Sequence, residues 1–111
     1  GVIVPVDMSY VGLLGVQGLE YAFNLVKNFL DHDVNLLGVL ATKFDGRQKI
    51  GKDVLIYLQE HFKEDMFKVV IPTTVRISEA PSFGISIFDH DPKGTGSKAY
   101  KELLNEMLKR L

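Results

Sequence analysis

Apolar residues enter this chain in two rhythms, as short unbroken runs and as longer stretches where they return every three or four positions. Val2-Ile3-Val4-Pro5-Val6, Leu36-Leu37-Gly38-Val39-Leu40-Ala41 and Met66-Phe67-Lys68-Val69-Val70-Ile71 are the runs. Runs this short, bounded by polar residues, predict strands buried on both faces, the last ended by Pro72. Between them, Leu19, Ala22, Phe23, Val26, Phe29 and Leu30 predict an amphipathic helix from about Val11 to Asp31, with Gly12, Gly15 and Gly18 weakening its first turns. Ile50, Val54, Tyr57, Leu58 and Phe62 mark a second helix. Tyr100, Leu103, Leu104, Met107, Leu108 and Leu111 mark a last one, from Ser97 to Arg110, whose stripe is wide enough to pack on a sheet. Strand, helix, strand, helix, strand with crossovers of this length is the pattern of parallel βαβ units. The fold class is therefore α/β, a doubly wound, mostly parallel sheet with flanking helices, and residues 1–111 form one domain with no repeat or linker.

Composition narrows the function classes little. The 111 residues are 46% hydrophobic and 24% charged, with a formal net charge of −1. That suits a globular domain, and any nucleic-acid contact has to come from a local basic patch rather than a global field. There is no cysteine, hence no disulfide framework or thiolate metal site, which agrees with a cytoplasmic protein. No run reaches the ~18 apolar residues of a membrane span. Asp7, Asp31, Asp33, Asp89, Asp91, His32, His61 and His90 show no metal-ligand spacing. Asp89-His90-Asp91 reads as a solvated turn rather than a catalytic pair.

The chemistry concentrates where the second and third strands end. The carboxyl ends of parallel strands open toward the ligand crevice of such folds, and Thr42-Lys43-Phe44-Asp45 follows the second strand there. T-K-x-D also resembles the guanine-specificity motif of GTPases, in which the carboxylate accepts from the base; Asp45 reads equally well as the start of the next helix. Ile71-Pro72-Thr73-Thr74 leaves the third strand at the same edge. Proline lacks a donor, so the ladder stops and main-chain groups become free for a base edge. Lys43, Arg47, Lys49 and Lys52 gather near the second helix, with Lys63, Lys68 and Arg76 near later element ends, all within reach of one patch.

Val75-Arg76-Ile77-Ser78-Glu79-Ala80-Pro81-Ser82-Phe83-Gly84, then Asp91-Pro92-Lys93-Gly94-Thr95-Gly96, then a helix with Tyr100 and Glu106, resembles the C-terminal half of ParA/Soj-type partitioning ATPases. Those proteins are deviant P-loop NTPases, so the resemblance implies an incomplete P-loop NTPase-like domain. It implies ATP rather than GTP, with Thr42, Asp45, Pro72, Thr73 and Thr74 around the base; the family usually carries Asn where this chain has Thr74. It implies Mg²⁺ with ATP in the complete protein, a dimer, a ParB-like centromere-binding partner and non-specific contact with nucleoid DNA. Arg76, Arg47, Lys49 and Lys52 are the implied DNA contacts, and Arg76 alternatively pairs with Glu79. A phosphate loop of the type K-G-G-x-G-K-[ST] does not occur in these residues. With no initiator Met and a strand under way at once, the chain reads as a fragment. On its own it is expected to hydrolyse nothing, to hold no nucleotide tightly, and to self-associate through uncovered apolar surface. A MinD-like positioning ATPase acting at a membrane through the terminal helix, and an interaction module without nucleotide chemistry, are the competing readings.

Overall fold

A computed structural model describes residues 1–30 and 35–111. Asp31, where the first helix is predicted to end, and His32 and Asp33 lie outside the described residues. The strands are β1 (Val2–Asp7), β2 (Leu36–Phe44) and β3 (Met66–Pro72), and the helices are α1 (Tyr10–Leu30), α2 (Lys49–Phe62), α3 (Val75–Glu79), α4 (Ile87–His90) and α5 (Thr95–Arg110). Both strand pairs are parallel, in the order β1-β2-β3. The predicted α/β class and parallel sheet are what the chain adopts.

Alternation along the strands divides the core in two. Val4, Val6, Val39, Ala41 and Met66 face α1 and α2, where they meet Val16, Val54 and Leu58. Leu40, Phe67 and Ile71 point to the opposite face and meet Ala99 and Leu103 of α5. Helices therefore cover both faces, as a buried parallel sheet requires.

Three predicted features change. β2 runs three residues beyond Ala41, so Thr42, Lys43 and Phe44 belong to the strand rather than follow it. The stripe of α1 is only partly buried: Val16 packs in the core and Leu19 and Phe23 pack against it, but Phe29 is 79% exposed. Length explains this, since 21 helical residues span about 31 Å and the six of β1 only about 20 Å, so the last turns of α1 overhang the sheet. On α5, Leu103 is buried and Tyr100 and Met107 pack beside it, while Leu104 and Leu108, and Leu111 just past its end, face solvent. The stripe is wider than the strip of sheet beneath it.

Gly12 is more than a weak helix former. Ser9 caps α1, its Oγ accepting from Gly12 N at 3.1 Å. A Cβ at Gly12 would collide with the carbonyl of Asp7, so only glycine lets the helix turn back this tightly from β1.

α5 is fastened to β3 by two side chains. Lys68 N and Val69 N donate to Glu106 Oε2 and Oε1, at 2.8 and 3.1 Å. Arg110 donates to the carbonyls of Leu37, Asp65 and Met66 at 3.0, 3.1 and 3.0 Å, and its guanidinium lies 4.1 Å from the Phe67 ring centroid.

Candidate functional site

The cleft sits where β2 and β3 end. Their ladder has one extra residue on β2, because Ala41 pairs with Val70 but Phe44 with Pro72. The bulge is taken up at Lys43, whose φ is 52°. A non-glycine residue in the left-handed region is uncommon, and bulges of this kind redirect side chains at strand ends. Two bonds close the ends around it: Met8 N donates to Thr42 O and Thr73 N to Phe44 O, each at 3.0 Å. Beyond that point the chains diverge, β2 into the Asp45 loop and β3 into α3.

The divergence leaves a cavity of about 490 Å³ lined by Thr42, Lys43, Pro72, Thr73 and Thr74, with Ile77 and Ser78 from α3 and Tyr100 from α5. Four of the five base-contact candidates thus share one cavity. Thr42 Oγ1 is tied back, donating to Val6 O at 3.2 Å, but keeps its lone pairs. Thr74 Oγ1 accepts from Ile77 N at 3.1 Å and so caps α3. Ser, Thr, Asn and Asp all serve at such a cap, so threonine in place of asparagine keeps this local task.

Asp45 is not among the lining residues. Its carboxylate is gripped by Arg47, whose backbone N–H, Nε and Nη2 all donate to it at 3.0 Å. The Arg47 side-chain hydrogen bonds, then the backbone bond, hold the Asp45 carboxyl below its usual range. Asp45 O also accepts from Gln48 N, so this residue shapes the turn that leads into α2.

The basic residues divide between the two edges of the sheet. Arg47 lies two residues before α2, Lys49 and Lys52 lie in its first turn, and Arg76 lies on α3, all at the carboxyl edge. Lys63 precedes β3 at the opposite edge and Lys68 lies early in that strand, so the seven cations do not make one patch. Arg47 and Arg76 are exposed but tethered, Arg47 to Asp45 and Arg76 Nη1 to Glu79 Oε2 at 3.5 Å. Lys49 and Lys52 occupy the first turn of a helix with no acid there, against the helix dipole.

Glu79 pairs with Arg76, the alternative the sequence offered, but it has a second partner that sequence reasoning missed. His90, read as part of a solvated turn, has a side chain only 14% exposed; its Nε2 lies 3.0 Å from Glu79 Oε2, and its ring stacks on Phe83 at 5.2 Å. The His90 hydrogen bond, and more weakly the Arg76 charge, hold the Glu79 carboxyl below its usual range. Fully buried Ser97 reaches Ile87 O and Asp91 O at 3.0 and 2.6 Å. A Cβ at Gly94 would strike the Asp91 carboxylate and one at Gly96 would lie 2.8 Å from Ile77. The Asp91–Gly96 motif is therefore a packed joint between α4 and α5. The signal for it was the motif itself, whose spacing says nothing about partners. Among the described residues no cluster of His, Asp or Glu could hold a metal ion, and no helix is long and apolar enough to cross a membrane.

No protein-family model matches the chain. Curated proteins do. It is 42% identical over all 111 residues to the chromosome-partitioning ATPase Soj of Thermus thermophilus, covering 45% of that protein. It is 38% identical over 98% of its length to the chromosome partitioning protein ParA of Myxococcus xanthus, and 37% identical over 96% to the sporulation initiation inhibitor protein Soj of Bacillus subtilis. The chain spans 38% and 42% of those two relatives, less than half of each. Similarity at this level, sustained along the chain, matches it to the C-terminal part of ParA/Soj-type chromosome-partitioning proteins.

Proposed function

We propose that the chain is part of a ParA-like ATPase for chromosome or plasmid partitioning, and that the cleft between the ends of β2 and β3 takes the adenine of ATP. The observation that carries this reading is the convergence of Thr42, Pro72, Thr73 and Thr74 on one cavity, in a chain similar to ParA and Soj proteins throughout. Flat apolar contact comes from Pro72, and hydroxyl and main-chain groups of the threonines supply polar contacts at its rim. ATP supplies the phosphoryl group that is hydrolysed. Its phosphates and Mg²⁺ need a phosphate loop, which these 111 residues do not contain, so base contact is the whole of what this chain offers.

Arg47, Lys49, Lys52 and Arg76 serve non-specific DNA in the nucleoid, in a cytoplasmic dimer that answers to a ParB-like partner. Lysines in the first turn of α2 cost the helix stability, and phosphate contact is the gain that offsets it.

Titrating the ¹⁵N-labelled chain with adenosine, ATP and guanosine tests the cleft. The amides of Thr42, Lys43, Thr73 and Thr74 are expected to shift saturably with adenosine and ATP at millimolar concentration. Shifts confined elsewhere, or an equal response to guanosine, would refute it, and micromolar affinity for ATP would refute the division of labour between base and phosphates.

The exposed Leu104 and Leu108 on α5, with Leu111 just beyond it, favour a second reading, a MinD-like protein that lays this helix on a membrane. Co-sedimentation with anionic liposomes, lost in a Leu104→Glu/Leu108→Glu variant, would establish it; a chain that stays in the supernatant excludes it.

A further inference from the structure

β3 forms one side of the sheet among the described residues, and it is apolar but for Lys68. An edge strand of this composition is a template on which a second strand can pair. Its main chain is irregular there: Val39 pairs with Met66 but Ala41 with Val70, so the edge strand has two more residues than its neighbour over the same interval. Lys68 and Val69 thereby present consecutive N–H groups to one carboxylate, Glu106 of α5.

That carboxylate is held in place. Arg110, one turn further along α5, lies 3.3 Å from Glu106 Oε2 through Nη2, and the two side chains are only 22% and 16% exposed. Arg110 is itself fixed by three carbonyls and the Phe67 ring. Glu106 therefore has no freedom to swing into solvent while α5 is docked.

We propose that Glu106 is a built-in plug of the β3 edge: its two oxygens occupy the N–H groups that a second copy of β3 would use, and this keeps copies of the chain from joining edge to edge. The bulge and the exposed Lys68 are weaker guards of the same edge, because neither satisfies the donors. A carboxylate does, with charge-assisted bonds that a partner strand's carbonyls cannot match.

The chain has no cysteine, so one introduced thiol reports proximity without ambiguity. Lys68→Cys is compared alone and combined with Glu106→Ala, scoring disulfide-linked dimer after mild oxidation, with amide exchange at Lys68 and Val69 read by NMR in Glu106→Ala. Removing the plug is expected to raise the dimer yield and the exchange at both amides about tenfold, the equivalent of a net charge-assisted bond. Leu103→Ala, combined with Lys68→Cys, loosens α5 but keeps the carboxylate and its Arg110 partner, and is expected to raise cross-linking less than Glu106→Ala does. A folded Glu106→Ala protein that cross-links no more than Lys68→Cys alone overturns the proposal, as does equal cross-linking in Leu103→Ala. Should Glu106→Ala fail to fold, Glu106→Gln, of equal length but with one acceptor oxygen, decides by the same comparison.

Discussion

Gly38→Ala sets two opposed effects against each other, and the structure decides between them. Glycine inside a strand costs roughly 0.5–1 kcal/mol relative to alanine through chain entropy, so in open space the methyl group would stabilise. At Gly38 the added Cβ would overlap Phe67 Cε2, and it would lie 2.5 Å from Arg110 Nη1 and 2.8 Å from Phe67 Cζ. Phe67 is 1% exposed, and its ring is held between β2 and the Arg110 guanidinium. The ring can retreat only by pushing Arg110 off the carbonyls of Leu37, Asp65 and Met66. Overpacking of a closed core costs about 1–3 kcal/mol and a loosened hydrogen bond about 1 kcal/mol more, so the net is a loss of about 2 kcal/mol. In a domain of this size that lowers Tm by about 10 °C. Urea titration followed by circular dichroism measures the loss, with an unchanged m-value showing that stability alone moved. Gly38→Ala/Phe67→Leu, which makes room for the methyl, is expected to show a favourable coupling of about 1 kcal/mol in a double-mutant cycle. A Gly38→Ala midpoint at or above the parent's, or a strictly additive cycle, would refute the reasoning.

Three further outcomes follow from the site. Glu79 has its folded pKa lowered by His90 and Arg76, so its contribution is present above the ordinary carboxylate range and is lost as pH falls through the lowered value. Glu79→Gln should therefore be less stable than the parent near neutrality, with the difference vanishing as pH falls below the lowered value, read from urea midpoints across pH; a constant difference would contradict the linkage. Thr74→Ala removes the α3 cap and should weaken protection of the Ile77 amide by about 1 kcal/mol in hydrogen exchange, while Thr74→Asn restores it; equal protection in all three would show the cap is idle. In a complete ParA-type protein carrying this sequence, Arg76→Glu should weaken DNA binding and flatten its salt dependence by about one unit of slope per lost contact, with ATP binding kept. Equal salt slopes, with folding intact, would remove Arg76 from the DNA contacts.

What could be read in the sequence was whatever depends on residues close together in it. The three apolar runs became strands because period and length are local properties, and α2 and α5 began within two residues of where their stripes placed them. Face assignments fared less well. Ile50 and Tyr57 match the helical period of α2, yet they are about half exposed while Gly51, Val54 and Leu58 are buried, because the axis of contact is set by β2 and not by the helix. Glu106, Arg110 and Gly38 were illegible for a different reason: they join elements up to 73 positions apart, and no nearby residue announces the pairing. At the site, the approach of β2 and β3 followed from parallel topology alone. The withdrawal of Asp45 toward Arg47 did not, because two residues of separation allow a fork between them as readily as a ligand contact.

The strain at Lys43 connects these levels. A lysine in the left-handed region costs about 1 kcal/mol, and three surrounding interactions hold it there: the Met8 N–Thr42 O bond, the Thr73 N–Phe44 O bond and the Thr42 hydroxyl on Val6 O. All three lie at the carboxyl edge, and they tie β2 to both neighbouring strands within a few residues of its end. If β2 paired with β3 without the extra residue, its following side chains would exchange faces and Lys43 would no longer stand at the mouth of the cleft. The bulge therefore sets which side chain of β2 meets Pro72 and Thr73 across the opening, and the cap on Thr74 sets the direction in which β3 leaves it. The cleft is a product of how two adjacent parallel strands are made to end, and the bonds that hold Lys43 in its left-handed conformation are the bonds that join those ends.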